Sequence, residues 1–169
     1  NIESVCLPQA VLSLPTLGKS VVLNIVRDAG FYNVVPFGLG RAGRMSGFHE
    51  LKEISSTRVN ILFMNEKAGG WYPFDSNGAG KYYRDGGDQG YAEKIIESNV
   101  LTGYKYNDPK GNILVFKKSL GTNYYRVTES INPYNQKITF EYQSATFLLI
   151  TDASGNRYEV TAEDAIDGV

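Results

Sequence analysis

The sequence is poor in the residues that build covalent or metal-based sites. It contains one cysteine, Cys6, and one histidine, His49. A single cysteine excludes an intrachain disulfide, and one cysteine with one histidine cannot supply the ligands of a structural zinc site within one chain. We therefore expect a fold that is stable without disulfides or metal, and we expect no cofactor.

The sequence also lacks a charge imbalance and long apolar runs. Its 17 basic and 18 acidic residues give a net charge of −1, so no strong nucleic-acid binding is predicted, because that binding is driven by a basic surface. No apolar run is long enough for a transmembrane helix. Residues 4–17 contain Pro8 and Pro15 and lack a basic leader, which is a poor signal peptide. The compartment stays open, with a virion or cytoplasmic location favoured and no membrane partner expected.

The composition is typical of a β-rich domain. The chain has 169 residues, of which 18 are glycine and 12 are tyrosine. Glycine serves turns and bulges, while tyrosine suits half-buried strand faces. Because the two prolines disfavour a long regular element, residues 1–18 are predicted to form an extended N-terminal arm. Residues 19–169 are predicted to form a single β-rich domain.

Local patterns predict several elements ahead of the last third of the chain. β-branched and aromatic runs predict strands at residues 21–26, 31–35 and 58–64. Two short helices are also predicted, at residues 48–54 and 89–98. Asp88 could cap the second helix, with Tyr91, Ile95 and Ile96 facing the core.

The last third of the chain predicts an antiparallel β-meander. Ile138, Phe140 and Tyr142 show a clean period of two, and Gly, Pro, Asn and Asp separate most of the strands. The candidate strands are 100–106, 112–118, 122–128, 136–142, 144–151 and 156–160. A meander leaves edges that must be covered, so the predicted fold class is mainly β, forming a sandwich or a barrel.

A glycine-rich loop at residues 38–47 carries the spacing G-x-G-x-x-G, at Gly38, Gly40 and Gly43. Glycines at this spacing let a backbone approach a pyrophosphate at a helix N-terminus. Glu66 lies near the expected place of a ribose-binding acid. The rest of the chain does not alternate strands and helices, so a loop that turns a corner or packs on a neighbour is favoured over a nucleotide site. Arg41 and Arg44 could contact a phosphate or the carboxylate of a partner.

Residues 65–90 are predicted to form a long loop that is rich in glycine and aromatic residues. Aromatic rings beside amides and carboxylates suit a sugar-binding surface, and the same composition suits a protein interface. In a third interpretation the rings fold down onto their own domain. The candidate partner- or glycan-binding residues are Trp71, Tyr72, Phe74, Tyr82, Tyr83, Arg84 and Asp85.

No constellation of residues indicates catalysis. Cys6 lies in a proline-flanked arm ahead of no predicted helix, which disfavours a dyad with His49. A calcium loop starting at Asp75 fails because Gly86 takes the place of its bidentate glutamate. Three glutamates have no spacing that singles out a carboxylate pair: Glu50, Glu53 and Glu66. The protein is predicted not to be an enzyme.

The leading functional hypothesis is a structural or interaction subunit of a larger assembly, such as a virion head or tail component. Near-zero net charge, the apolar arm and the aromatic loops favour contacts with other protein subunits, in a homo- or hetero-oligomer. The alternatives are a carbohydrate-binding module that uses the aromatic loop and a nucleotide-binding enzyme that uses the loop at 38–43.

Overall fold

A computed structural model shows a chain built of β-strands. It describes residues 9–14, 21–27, 43–45, 47–64, 69–86, 90–144 and 147–161. The predicted fold class, mainly β and antiparallel, is confirmed, and the architecture is a barrel with additional strands. Within these ranges there is no helix of the length and apolarity that a membrane span requires.

Fourteen strands run through the described residues. Their bounds are β1 (Gln9–Leu14), β2 (Val21–Arg27), β3 (Gly43–Met45), β4 (Glu50–Ser55), β5 (Arg58–Met64), β6 (Gly69–Ser76), β7 (Lys81–Tyr83), β8 (Tyr91–Glu97), β9 (Val100–Asn107), β10 (Ile113–Gly121), β11 (Tyr124–Ile131), β12 (Lys137–Tyr142), β13 (Phe147–Thr151) and β14 (Arg157–Thr161).

The chain divides into two compact units, one of which contains a closed barrel. This unit comprises residues 49–63 and 70–138. Strands β4 to β11 pair in sequence order, and β11 also pairs with β4, so the ring of eight antiparallel strands is complete. Closure removes the exposed edges that an open meander would have left.

The interior of the barrel is filled by side chains that the strand register places on one face. Leu51 is paired with Ile61 on β5 and with Tyr125 on β11, so the three side chains point the same way. The buried residues on this inward face are Leu51, Val59, Ile61, Phe74, Tyr82, Ala92, Tyr104, Tyr106, Phe116, Tyr125 and Val127. Alternating large aromatic and small side chains across strands is how a small barrel fills its centre.

The second unit comprises residues 1–48, 64–69 and 139–169. Strands β1, β2 and β3 form a three-stranded antiparallel sheet. The β13 strand lies between β12 and β14 in an antiparallel meander, with Leu148 and Ile150 buried. The Phe48 and Phe140 rings meet edge to face, with centroids 5.6 Å apart.

One turn design recurs four times among the described hairpins. In each turn an Asn or Asp side-chain oxygen accepts from the backbone N–H groups two and four residues later, as Asp108 Oδ1 does from Lys110 and Asn112. The fourth residue has a positive φ in every case, which explains its identity as Gly or Asn. The four turns are 77–81, 108–112, 132–136 and 152–156.

The meander prediction is confirmed, since each predicted strand after residue 100 corresponds to one of β9 to β14 with bounds shifted by at most three residues. The strand predicted at 58–64 coincides with β5, and that at 21–26 corresponds to β2. The strand predicted at 31–35 lies outside the described residues.

The two predicted helices are wrong. Residues 50–55 form β4, which pairs with both β5 and β11, and residues 91–97 form β8, which pairs with β7 and β9. The local pattern favoured a helix because apolar residues recur at helical spacing. Pairing with distant strands satisfies the same backbone groups and overrides that weak local preference.

The predicted loop at 65–90 is also wrong for residues 69–76 and 81–83. It contains β6 and β7, which belong to the barrel. The glycine content suggested a loop, yet Gly69 and Gly70 lie within β6. The division into an arm over residues 1–18 and one domain over residues 19–169 stays a prediction, and β1 is the described part of that arm.

The close approach of β9 and β10 yields a test of the barrel. A Cβ added at Gly103 would collide with the backbone oxygen of Phe116, whereas one added at Gly121 would meet nothing within 4 Å. We expect Gly103→Ala to lower the free energy of unfolding by about 1–3 kcal/mol and Gly121→Ala to change it little. Urea denaturation of both variants would measure this, and equal effects would contradict the close packing of these two strands.

Candidate functional site

Strand alternation separates the predicted aromatic site into two sets. On β6, Phe74 is fully buried in the barrel, whereas Trp71 keeps 38% of its surface exposed. On β7, Tyr82 is 3% exposed and Tyr83 is 40% exposed. Successive residues of a strand point to opposite faces, so the seven candidate residues of this segment cannot form one binding surface.

Tyr72 and Arg84 contact each other. The guanidinium carbon of Arg84 lies 4.0 Å from the centroid of the Tyr72 ring, which is a cation–π geometry. Tyr72 also packs against Phe63, with centroids 6.0 Å apart. Both residues are half-buried, so this pair belongs to the packing of the barrel more than to its exposed surface.

The exposed Trp71 lies beside residues that the sequence did not single out. Its ring meets Tyr124 edge to face, with centroids 6.0 Å apart, and Lys52 Nζ lies 6.0 Å from the Tyr124 centroid. The Tyr124 hydroxyl donates to Oε2 of the buried Glu50 at 2.9 Å. We call Trp71, Tyr124, Lys52 and Glu50 the Trp71 patch.

A second aromatic surface lies on β7 and β8. The rings of Tyr83 and Tyr91 are 5.9 Å apart, and Lys81 Nζ lies 4.5 Å from the Tyr91 centroid. The register pairs Tyr83 with Asp75 on β6, and so connects this surface to β6. We call Tyr83, Tyr91 and Lys81 the tyrosine patch.

An exposed ion pair borders the tyrosine patch. Arg58 donates from Nε to Asp75 Oδ1 at 2.6 Å and from Nη2 to Oδ2 at 2.8 Å. The bond from Arg58 lowers the pKa of Asp75, and that bond together with the charges of Asp75 and then Asp85 raises the pKa of Arg58. The predicted site residue Asp85 is thus exposed and close enough to influence this pair.

Both patches lie on the outside of the barrel. Trp71 and Asp75 share the outward face of β6 and are four residues apart, which corresponds to roughly 13 Å along a strand. Lys52 pairs with Tyr124, and Asp75 with Tyr83, so the two patches extend to either side of β5 and β6. This outer surface combines aromatic rings with charges of both signs.

The interior contains a carboxylate that the sequence did not distinguish. Glu53 Oε1 accepts from the Tyr104 hydroxyl at 2.6 Å and from the Tyr125 hydroxyl at 3.5 Å. The Asn123 amide nitrogen can donate to Glu53 Oε2 at 3.2 Å. Burial, and then the bond to Glu53, raises the pKa of Tyr104 above its usual range, so this hydroxyl stays protonated and donates.

The glutamates that could have formed a carboxylate pair are kept apart. Glu50 and Glu53 lie three residues apart on β4 and therefore point to opposite faces of the barrel wall. Glu66 lies outside the described residues, as do Cys6 and Arg41. No group of three or more His, Cys, Asp or Glu residues in the described ranges could hold a metal ion.

The glycine-rich loop is described only at its end. Gly43 begins β3, and Arg44 on that strand is paired with Val26 on β2. The nucleotide fingerprint requires a helix to start at this position, because the helix N-terminus binds the phosphate. Because a strand begins at Gly43, no helix N-terminus is present there to bind a phosphate.

The sequence could have revealed the outer surface if residues 69–76 had been treated as a strand. Trp71, Pro73 and Asp75 then alternate with Tyr72, Phe74 and Ser76, so one set faces outward. No local signal identifies Tyr124 as the neighbour of Trp71, because the two meet only when β11 pairs with β4.

Comparison with protein-family models, curated proteins and solved structures found no match to this chain.

His49 yields a pH test, since it is the single histidine of the chain. Its ring packs against Phe63, with centroids 6.1 Å apart, and desolvation by burial lowers its pKa from 6.5 to about 4, partly offset by a hydrogen bond with the Leu62 backbone. As the pH falls, His49 therefore takes up a proton near pH 6.5 in the unfolded chain but only near pH 4 in the folded chain.

The contribution of neutral His49 to the free energy of unfolding should be complete above pH 6.5 and should be lost as the pH falls towards about 4. His49 keeps part of its surface exposed, so solvent screening should hold the total decline below about 3 kcal/mol. Urea denaturation between pH 7 and pH 4.5 would measure this change. In His49→Gln the decline over this interval should be largely abolished. An equal decline in the variant would assign the pH dependence to other groups.

Proposed function

We propose that this protein is a non-enzymatic structural and interaction subunit of a larger assembly, such as a virion head or tail. In this proposal the protein binds its partners through the outer surface of the barrel. The observation that carries the proposal is the exposure of Trp71 and Tyr83 on that surface, each next to a second aromatic ring.

The composition of the outer surface supports protein binding. Trp, Tyr and Arg provide most of the energy in protein interfaces, especially where a ring is held rigidly and flanked by polar groups. Trp71 is held by Tyr124, and Tyr83 by Tyr91. Lys52, Lys81 and the Arg58–Asp75 pair supply charges at the margins, where they favour specificity and orientation of a partner.

The interior of the barrel supports the same proposal. Tyr104, Phe74 and Phe116 are at most 1% exposed, and side chains from neighbouring strands interlock around them. The interior carboxylate of Glu53 accepts hydrogen bonds from tyrosine hydroxyls of the barrel itself. These groups stabilise the barrel, which leaves its outer wall as the surface for recognition.

Cross-linking in the native assembly tests the proposal. The protein, isolated under mild conditions from its source, should elute well above the mass of its 18.7 kDa chain. A lysine-reactive cross-linker should join Lys52 and Lys81 to partner proteins more often than Lys110, which lies in the 108–112 turn and belongs to neither patch. Isolation as a free monomer with no cross-linked partner would refute the assignment.

Substitution of the exposed rings gives the quantitative test. Trp71→Ala and Tyr83→Ala should each weaken partner binding by roughly 30-fold, the effect of losing an interface hot spot. Tyr134→Ala is the matched control, because Tyr134 is 73% exposed in the 132–136 turn and belongs to neither patch. Thermal unfolding of all three variants should stay close to that of the wild type. An equal loss of partner binding in all three variants would argue against a specific binding surface on the outer barrel wall.

Carbohydrate binding is the second candidate function, and one observation favours it. Asn60 pairs with Lys52 in the register, so it lies on the outward face beside the Trp71 patch. Its Oδ1 atom is buried and has no hydrogen-bond partner among the described residues. A sugar that stacks on Trp71 could donate a hydroxyl to this amide oxygen once the Asn60 side chain turns outward.

A glycan array separates the two candidates. A hit that is lost in Trp71→Ala and retained in Tyr83→Ala would favour sugar recognition at the Trp71 patch. Tyr82, one of the residues that the sequence suggested for a sugar site, is buried in the barrel and cannot take part. No hit on the array, together with loss of partner binding in both variants, would favour the protein interface.

A further inference from the structure

The β14 strand has one edge that pairs with no other strand in the described ranges. It is the terminal strand of its sheet and pairs with β13 alone among the described residues. Asp152 N–H donates to the Asn156 carbonyl at 2.9 Å and closes the β13–β14 hairpin. Backbone groups of an antiparallel strand alternate between its two sides, so Arg157 and Glu159 direct theirs away from β13.

The side chains of Arg157 and Glu159 lie on one face of this edge. Both are exposed, and neither forms an ion pair with another described residue. Tyr158 lies on the opposite face, where its hydroxyl donates to Asp152 Oδ2 at 3.0 Å. The strand therefore presents one positive and one negative charge, two residues apart, beside backbone groups that pair with no other described strand.

This charge pattern differs from that of a protected edge. Natural edge strands are often protected by charged side chains, especially lysine, and a strand that carries only lysine repels a second copy of itself. Opposite charges two residues apart on the same edge instead attract a second copy of the strand. If a second β14 runs antiparallel with the two Tyr158 residues facing each other, each Arg157 lies opposite a Glu159.

We propose that two copies of this chain associate through their β14 strands. The strands pair antiparallel about a twofold axis at Tyr158, so that Arg157 of one copy faces Glu159 of the partner subunit, and the reverse. A contact that uses the same residues on both subunits is the usual form of a twofold interface. The proposal specifies one contact within the assembly proposed above and rests on that proposal.

The backbone register agrees with this pairing. Arg157 and Glu159 both direct their N–H and C=O groups to the open edge, so each Arg157–Glu159 pair across the axis is a hydrogen-bonded pair. The Cα atoms of such pairs lie about 5.5 Å apart, which lets the two side chains form an ion pair. Tyr158, which hydrogen-bonds towards β13, occupies the non-hydrogen-bonded position on the axis.

A groove lies next to the charged face. It has a volume of about 540 Å³ and is lined by Phe147 and Leu149 together with Gln143, Arg157 and Glu159. The methylene groups of an incoming arginine can pack on Phe147 and Leu149 while its charge reaches a carboxylate. A five-residue strand pair buries less surface than a standard interface, so we expect a dimer of micromolar affinity.

Charge reversal on the intact chain tests the pairing. Arg157→Glu places glutamates opposite glutamates in a homodimer, and Glu159→Arg places arginines opposite arginines. Each variant alone should dimerise at least tenfold more weakly in analytical ultracentrifugation at low salt. An equimolar mixture of the two variants should form a heterodimer, because every facing pair is then of opposite sign.

Two controls complete the design. The double variant Arg157→Glu with Glu159→Arg should dimerise like the wild type, since the swap preserves the complementarity. Lys110→Glu, a reversal in the exposed 108–112 turn, should leave the dimer unchanged. Circular dichroism would verify that each variant is folded. The mixture is a further check, because two altered chains that each dimerise weakly alone should pair with each other.

The proposal is overturned by any of three results. These are a wild-type chain that stays monomeric at several hundred micromolar, reversed variants that dimerise like the wild type, or folded variants whose mixture stays monomeric. Trp71→Ala should not alter this dimer. A wild-type chain that binds partners at the outer barrel surface but forms no β14 dimer would therefore refute the dimer alone. A wild-type chain that forms the β14 dimer but binds no partner at the outer barrel surface would refute only the proposed function.

Discussion

The pairing of β11 with β4 is the constraint on which the barrel depends. It joins residues 124–126 to residues 50–52 across more than seventy positions of sequence and closes the ring of eight strands. Once the ring is closed, each strand has one face towards a packed interior and one towards the outside. That single condition assigns Phe74 and Tyr82 to the core and leaves Trp71 and Tyr83 on the outer wall. It also brings Tyr124 next to Trp71.

Polar groups inside the wall are stabilised by one another. Glu53 lies among tyrosine hydroxyls, and a carboxylate inside a barrel is tolerated only when such donors surround it. His49 illustrates the opposite solution, because its desolvated ring is held neutral by a lowered pKa. The outer wall has different chemistry, with rings in edge-to-face contact and ion pairs such as Arg58–Asp75 exposed to water. These exposed pairs contribute little to stability and are suited to recognition.

Local signals were reliable where turn chemistry and alternation agreed. The segments around Asp108, Asn132 and Asp152 each contain an acid or amide followed three residues later by Gly or Asn, and each forms a hairpin turn of the same design. The positions of the strands between these turns follow from the positions of the turns. The segment at 65–90 was predicted to be a loop because it is rich in glycine and aromatic residues, while its strands are stabilised by pairing partners that local sequence does not identify. The apolar spacing in residues 91–97 was likewise compatible with a helix until β7 and β9 paired with it.

The sequence by itself determined the β-rich class, the hairpin turns and the meander after residue 100, because turn propensity and period-two alternation act between residues close in the chain. Only the tertiary structure decided that eight of the strands close into a barrel and which aromatic rings are left exposed. Those outcomes depend on the register between strands far apart in sequence, and a shift of one residue would exchange the inner and outer faces. The burial of Tyr82 beside the exposure of Tyr83 follows from that register and from no property of either residue alone.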